Sequence, residues 1–189
     1  KAFLKKKDIT VTWQRYGIEA LGAMAQGLFC SLLIGTIIKT LGTQLGVQFI
    51  TDIGTYAMAV SGPAMAVAIG YALKSPPMVL FSLAAVGWAA NAEGGAGGPL
   101  AVLIIAIAAA ECGKAVSKET KVDLLVTPGV TILVGVALAK LIAPPIGTAA
   151  NALGLLIIEA TNLRPFFMGI LVSVIVGVAL TLPISSAAI

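Results

Sequence analysis

The sequence predicts an all-α, polytopic membrane protein of about six spans, and three observations carry that prediction. Hydrophobic residues make up 59% of the 189 residues and charged ones only 11%. A soluble domain carries roughly 25% charged residues, so this chain has too little charge to coat a water-facing surface. Mean hydropathy is +1.04. Apolar runs also recur at the length of about 20 residues that a helix needs to cross a hydrocarbon core of about 30 Å.

The first span is expected over residues 17–38, where Glu19 and Gln26 are the strongly polar members. It exceeds the roughly 7–15 apolar residues of a signal peptide, so it reads as an uncleaved span. The second runs over 53–73 and stops at Lys74-Ser75-Pro76-Pro77, with Pro63 inside it as an expected kink. Two short apolar stretches follow, 78–90 and 100–110, around Asn91-Ala92-Glu93-Gly94-Gly95-Ala96-Gly97-Gly98-Pro99. They form either two tightly turned spans or a re-entrant hairpin. A fifth span covers 124–143, and a sixth begins at Pro165-Phe166-Phe167. Segments 41–51 and 146–158 look amphipathic and too polar or broken to be ordinary spans.

Charge sets the expected orientation. Lys1, Lys5, Lys6, Lys7, Arg15, Lys74, Lys114, Lys118 and Lys121 fall on one side of these spans, and Lys39, Lys140 and Arg164 on the other. The positive-inside rule then places the N-terminus in the cytoplasm and the chain in the cytoplasmic (inner) membrane. The net charge of +4 belongs to that orientation and to anionic headgroups, with no nucleic-acid role.

An internal repeat is also legible. Residues 67–76, Val-Ala-Ile-Gly-Tyr-Ala-Leu-Lys-Ser-Pro, align with 174–183, Val-Ile-Val-Gly-Val-Ala-Leu-Thr-Leu-Pro. Upstream, Leu33-Ile34-Gly35 matches Leu133-Val134-Gly135, and Gly42-Thr43 matches Gly147-Thr148. Asp52 and Glu159 then fall at related places. Both units start from the same side, so this is a parallel duplication of the kind that builds many transporters. Residues 1–189 form one transmembrane domain, with a repeat unit at 16–121 and a partial second unit at 122–189. The second unit stops soon after Pro183 where the first continues past Pro76, and the chain starts at Lys1. The repeat therefore predicts a fragment of a longer protein.

Several chemistries are excluded. The chain has no His, and Cys30 and Cys112 lack CxxC spacing, so no histidine-based metal site, triad or phosphohistidine can lie in it. No nucleophile–base pair, metal cluster or cofactor fingerprint appears, and neither enzyme activity nor a cofactor is expected.

Val126-Thr127-Pro128-Gly129, Ala149-Ala150-Asn151 and Leu182-Pro183-Ile184-Ser185-Ser186-Ala187-Ala188-Ile189 together carry a family resemblance. So do the Glu111-Cys112-Gly113-Lys114 boundary and the Asn91-Ala92-Glu93-Gly94-Gly95 turn. The chain resembles the IIC-like membrane proteins of the sugar phosphotransferase system. That resemblance implies a solute-translocating domain with a sugar-like substrate. Phosphotransfer partners in such systems carry a phosphorylatable His or Cys on a soluble domain, and Cys112 lies at a membrane boundary instead. Coupling to phosphorylation is thus implied by the family alone.

The candidate substrate-binding residues are Asn91, Glu93, Gly94, Gly95, Asn151 and Glu159. Glycines allow a ligand close to the backbone and leave amides free to bind it. Asn151 and Glu159 cluster with Asn162 and Arg164 near the second amphipathic segment, where buried polar groups tend to mark pathways. A raised pKa is expected for Glu93 unless a cation or Lys140 pairs with it. Glu19 is expected to pair locally with Arg15, and Lys140 to snorkel to the outer interface. Glu111, Lys114, Lys118, Glu119, Lys121 and Asp123 read as a solvated cytoplasmic loop. Trp13, Trp88 and Tyr16 read as interface anchors, and Gly22, Gly27, Gly35 and Gly135 as helix-packing positions. Expected partners are membrane lipids, a small solute and further copies of the chain. The alternative function is a membrane sensor or regulator that binds a lipid, fatty acid or other apolar ligand.

Overall fold

The computed structural model describes residues 7, 9, 12–119, 122–161, 169, 170, 172–174, 176 and 177. Every regular element among them is helical: α1 (Gln14–Leu45), α2 (Gln48–Ala59), α3 (Ser61–Ala72), α4 (Pro77–Gly94), α5 (Gly98–Val116) and α6 (Asp123–Thr161). Among the described residues, three stretches are long and apolar enough to cross a membrane: α1, the α4–α5 region and the Asp123–Leu155 part of α6. The bent α2–α3 pair makes a fourth. The sixth expected span, from Pro165, and most of the 174–183 repeat segment lie outside the described residues.

Helix α1 absorbs its polar residues internally. Ser31, Thr36, Thr40 and Thr43 each donate a hydroxyl to the carbonyl four residues back, at 2.7–2.9 Å, which satisfies them without water. Two π-helical stretches, Gln14–Glu19 and Phe29–Leu33, widen it locally. The helix ends where Gly46 turns left-handed (φ 68°, ψ 20°) and Val47 N–H bonds the Gly42 carbonyl at 2.9 Å, a C-terminal cap that glycine adopts without strain. Helix α2 then folds back along α1. A methyl group at Gly54 would stand 2.6 Å from the Gly35 carbonyl oxygen, so the two backbones touch.

Between α2 and α3 the chain bends by 46°. Pro63 is the cause: it has no N–H for the Ala59 carbonyl and its ring crowds that turn. The expected kink is therefore present. Gly27 of α1 lies against the Ala64 backbone of α3, and Gly62 of α3 against the Gly87 carbonyl of α4.

The α4–α5 hairpin occupies the interior. Half of its apolar window is buried, against 22% for α1 and for α6. Pro77 starts α4 at a position where a missing N–H costs nothing. The helix continues through Asn91-Ala92-Glu93, and only Gly95–Gly97 leaves it, as a single 3-10 turn. This is tighter than the nine-residue irregular turn expected from composition. The arms have 18 and 19 residues, or roughly 27–29 Å at about 1.5 Å per residue. They run antiparallel, since Gly113 near the end of α5 packs on Val79 at the start of α4. The centre is close-packed from small and branched residues, among them Val86, Ala90, Ala101, Ile105 and Ala109, all fully buried.

Helix α6 seats Gly135 on Val86 and Ala109, spanning both hairpin arms. It stays helical through Pro144 and Pro145 to Thr161, so the segment expected as a separate amphipathic element at 146–158 is continuous with the fifth span. The wide exposure of Leu33, Phe81, Leu133, Leu141 and Tyr71 fits lipid-facing sides. Gly35 is buried beside exposed Leu33. Gly22, expected at a packing position, meets nothing within 4 Å among the described residues.

Candidate functional site

The hairpin tip brings four of the expected site residues together. Gly94 is buried, Gly95 is exposed with φ 49°, and Asn91 and Glu93 are half-buried in the last turns of α4. The tip is held by backbone contact with α6. A methyl group at Gly97 would stand 2.8 Å from the Ile146 carbonyl oxygen, and one at Gly147 would stand 2.6 Å from the Gly94 carbonyl oxygen. Asn91 is tucked between Gly98 and Gly62. The glycine-rich turn is thus covered by another element, with Gly94 against Gly147.

Glu93 accepts from Lys140 Nζ at 2.6 Å, with the Lys140 side chain 68% exposed and that of Glu93 35% exposed. Lys140 thus has a carboxylate partner as well as reaching outward. Pro144 and Pro145 bring no N–H to the carbonyls of Lys140 and Leu141 four residues back. At the level of the tip the molecule therefore presents a carboxylate, an ammonium, the Asn91 amide and two carbonyls released from helical bonding. Such groups can exchange hydrogen bonds with a hydroxylated solute.

Asn151 and Glu159 do not join them in the same way. The tip touches α6 through Lys140, Ala143, Ile146 and Gly147, and Asn151, a turn further on, is exposed. Glu159 lies in α6, but its side chain, with Asn162 and Arg164, is outside the described residues. Among the described residues no three Cys, Asp or Glu side chains converge as a metal site.

A second polar centre lies at the opposite end of the hairpin, and the sequence reading missed it. The Leu73 carbonyl, at the C-terminus of α3, accepts from Arg15 Nη2 at 2.8 Å and from Lys114 Nζ at 3.2 Å. Lys114 is 2% exposed, and its ammonium stands 2.9 Å from Glu111 Oε1. Glu111 is itself largely enclosed, and Lys114 is its ion-pair partner. Tyr16 sits beside the same carboxylate. Glu111 and Lys114 are therefore no solvated loop. Helix α5 runs on to Val116 at the centre of the bundle and carries both inward. Helix termini leave carbonyls that need donors, and cations complement the negative end of the dipole. The signal for this was the Glu111–Lys114 spacing of three, which places both on one helix face beside the small residues Ala110 and Gly113. Arg15 acts mainly across helices, whereas a local pair with Glu19 was expected. Lys118 and Glu119 are exposed as expected, Asp123 takes the Lys118 N–H at 2.7 Å, and Lys121 is outside the described residues. Trp13 and Trp88 are exposed, at 83% and 56%, and Tyr16 is half-buried.

These features define a polytopic helical membrane protein with a buried hairpin and a polar group of residues at its tip. Residues 18–189 match the family described as "Phosphotransferase system, EIIC", and the chain belongs to that family. It is a membrane domain of the transport-associated, phosphotransferase-system type. Neither the curated proteins nor the solved structures provide a match.

Proposed function

We propose that this domain binds a small, hydroxylated, sugar-like solute at the hairpin tip and passes it across the cytoplasmic membrane without catalysing a reaction of its own. The observation that carries this reading is the half-buried Glu93 carboxylate, held against Lys140 over a glycine-lined turn. With Lys140 largely exposed, the pair can exchange its hydrogen bonds with a solute, and the glycines let that solute approach the backbone closely. In this reading α4 and α5 both cross the bilayer beside α6, the tip faces outward, and the end bearing Arg15, Lys74 and Lys114 faces the cytoplasm. The parallel repeat of 16–121 and 122–189 belongs to the same reading.

The test is ligand-dependent melting of the purified chain in nanodiscs against a panel of neutral sugars. A solute that binds should raise the melting temperature of the wild type. Glu93→Gln keeps the shape of the side chain and should abolish that rise while the protein stays folded. A variant that responds like wild type overturns the site. Bound lipid in native mass spectrometry with no sugar response overturns the transport reading in favour of an apolar-ligand sensor.

A further inference from the structure

At the end of the molecule away from the hairpin tip, the chain encloses a cleft of about 430 Å³ between the ends of α3 and α5. Among the described residues, Lys7, Lys74, Lys114 and Lys118 line it, with Ser117 and the Glu119 carboxylate. Lys7 pairs with Glu119 at 2.7 Å and also donates to the Ser117 carbonyl. Lys114 is held by Glu111 and the Leu73 carbonyl. The ammonium group of Lys74 has no such partner among the described residues, Lys118 has the Asp123 carboxylate nearby, held by the Lys118 backbone N–H, and both lysines are exposed. Among the described residues, four ammonium groups at the cleft thus face the carboxylates of Glu119, Glu111 and Asp123, a small positive excess.

The backbone supplies an independent observation. Lys74 and Lys118 have φ of 55° and 63°, and they are the two described non-glycine residues with positive φ. Each follows a helix end: Lys74 caps α3, where Ser75 N–H bonds the Gly70 carbonyl, and Lys118 is the third residue of a tight turn after α5, where Glu119 N–H bonds the Val116 carbonyl at 3.2 Å. Glycine takes such left-handed positions with least strain, and at the far end of the bundle Gly46 does so. A chain with 21 glycines instead carries lysine at both left-handed positions that flank the cleft. Backbone strain kept where a strain-free residue would serve points to a role for the side chain.

We propose that this cleft is a binding site for a phosphate-type oxyanion, with Lys74 and Lys118 as its principal ligands. Lys7 and Lys114, each paired with a carboxylate, line the same wall. An ammonium binds phosphate as a point charge with three donors, and the cleft is large enough for a phosphate ester. Its position beside helix ends at the basic face makes it reachable by a phospholipid headgroup or by a soluble phosphate compound, and both present the same oxyanion. This site is separate from the hairpin tip, so its test does not depend on solute transport.

The full chain is reconstituted in phosphatidylcholine nanodiscs and melted with and without inorganic phosphate, ionic strength being held constant with chloride. A parallel set contains about one-third phosphatidylglycerol. The wild type should gain about 3 °C from one or both anions near saturation. A gain with phosphate alone identifies a soluble source, a gain with phosphatidylglycerol alone identifies the headgroup, and a gain with both shows that either occupies the site. The K74G/K118G double variant should lose the gain, while its melting temperature without anion stays equal or rises because glycine relieves the left-handed backbone. K74N/K118N, which also tolerates that conformation, should lose it too. The proposal is overturned if neither anion shifts the wild type, or if either double variant responds as the wild type does.

Discussion

The two ends of the α4–α5 hairpin solve opposite problems. At the end formed by α3 and α5, helix termini bring unpaired carbonyls into the bundle, and charged side chains are drawn inward to meet them. Arg15 and Lys114 converge on the Leu73 carbonyl, and Glu111 follows Lys114 into the interior. At the tip the backbone itself is the packing surface. Gly94 and Gly97 lie against Gly147 and Ile146 of α6, and the charged pair Glu93–Lys140 is left at the outside. An ion pair thus has different worth at each end. Buried charge is costly to strand, whereas an exposed pair contributes little, so stability and ligand recognition are separated along the hairpin.

Lys114→Met tests the buried end most directly. It strands the Glu111 carboxylate in a closed space, and breaking a buried pair costs about 3–5 kcal/mol. The expected result is a severe loss of monodisperse protein and of denaturant resistance. Adding Glu111→Leu should recover much of it, because an apolar pair of similar volume removes the stranded charge. Wild-type stability in Lys114→Met would show that the polar centre is not structural.

Glycine contacts come next in size. Gly62→Leu forces a side chain into the Gly87 backbone, and Gly35→Leu does the same against Gly54 and Met58. Overpacking of this kind costs about 1–3 kcal/mol or more where backbone cannot yield, and in lipid the loss of close approach weakens helix association directly. Leu33→Ile, on an exposed side of the same helix, should stay within about 0.5 kcal/mol. Comparable melting temperatures for Gly35→Leu and Leu33→Ile would remove the packing basis of the fold.

How much of this could be read from the sequence differs between the two ends. Composition and run length predicted the helical membrane class, and Pro63 predicted the bend. Gly27, Gly35 and Gly135 were placed on packing faces because small residues in apolar helices have little other use. The tip was found because four glycines within 94–98 stand out in any apolar sequence. Its coverage by α6 was predictable in kind, but its partner was not, since the Gly94–Gly147 contact joins residues far apart in the chain. The buried polar end was hidden for the same reason. Glu111 and Lys114 sit in a stretch rich in Lys, Glu and Asp, where charge density suggests solvent, and only the tertiary position of α5 turns them inward. Likewise Pro144-Pro145 reads as a break, yet the packed hairpin beside α6 holds the helix through it.

The smallest expected effect sharpens the comparison most. If the tip pair serves recognition, removing it should scarcely alter the fold. A cycle of Glu93→Gln, Lys140→Gln and the double variant isolates the pairwise contribution. With Lys140 largely exposed, the coupling should fall at about 0–1 kcal/mol and shrink further in high salt, since surface pairs are screened. Chemical denaturation in low and high salt measures both. Sugar response, followed in the same samples, should be lost in Glu93→Gln even where stability is unchanged. A coupling of several kcal/mol would instead place the pair alongside Glu111–Lys114 as a structural clamp, and the contrast between the two ends would fail. The distinction is physical: a group that contributes little to folding, yet is kept at the covered tip of the hairpin, has its interaction free energy available for a ligand.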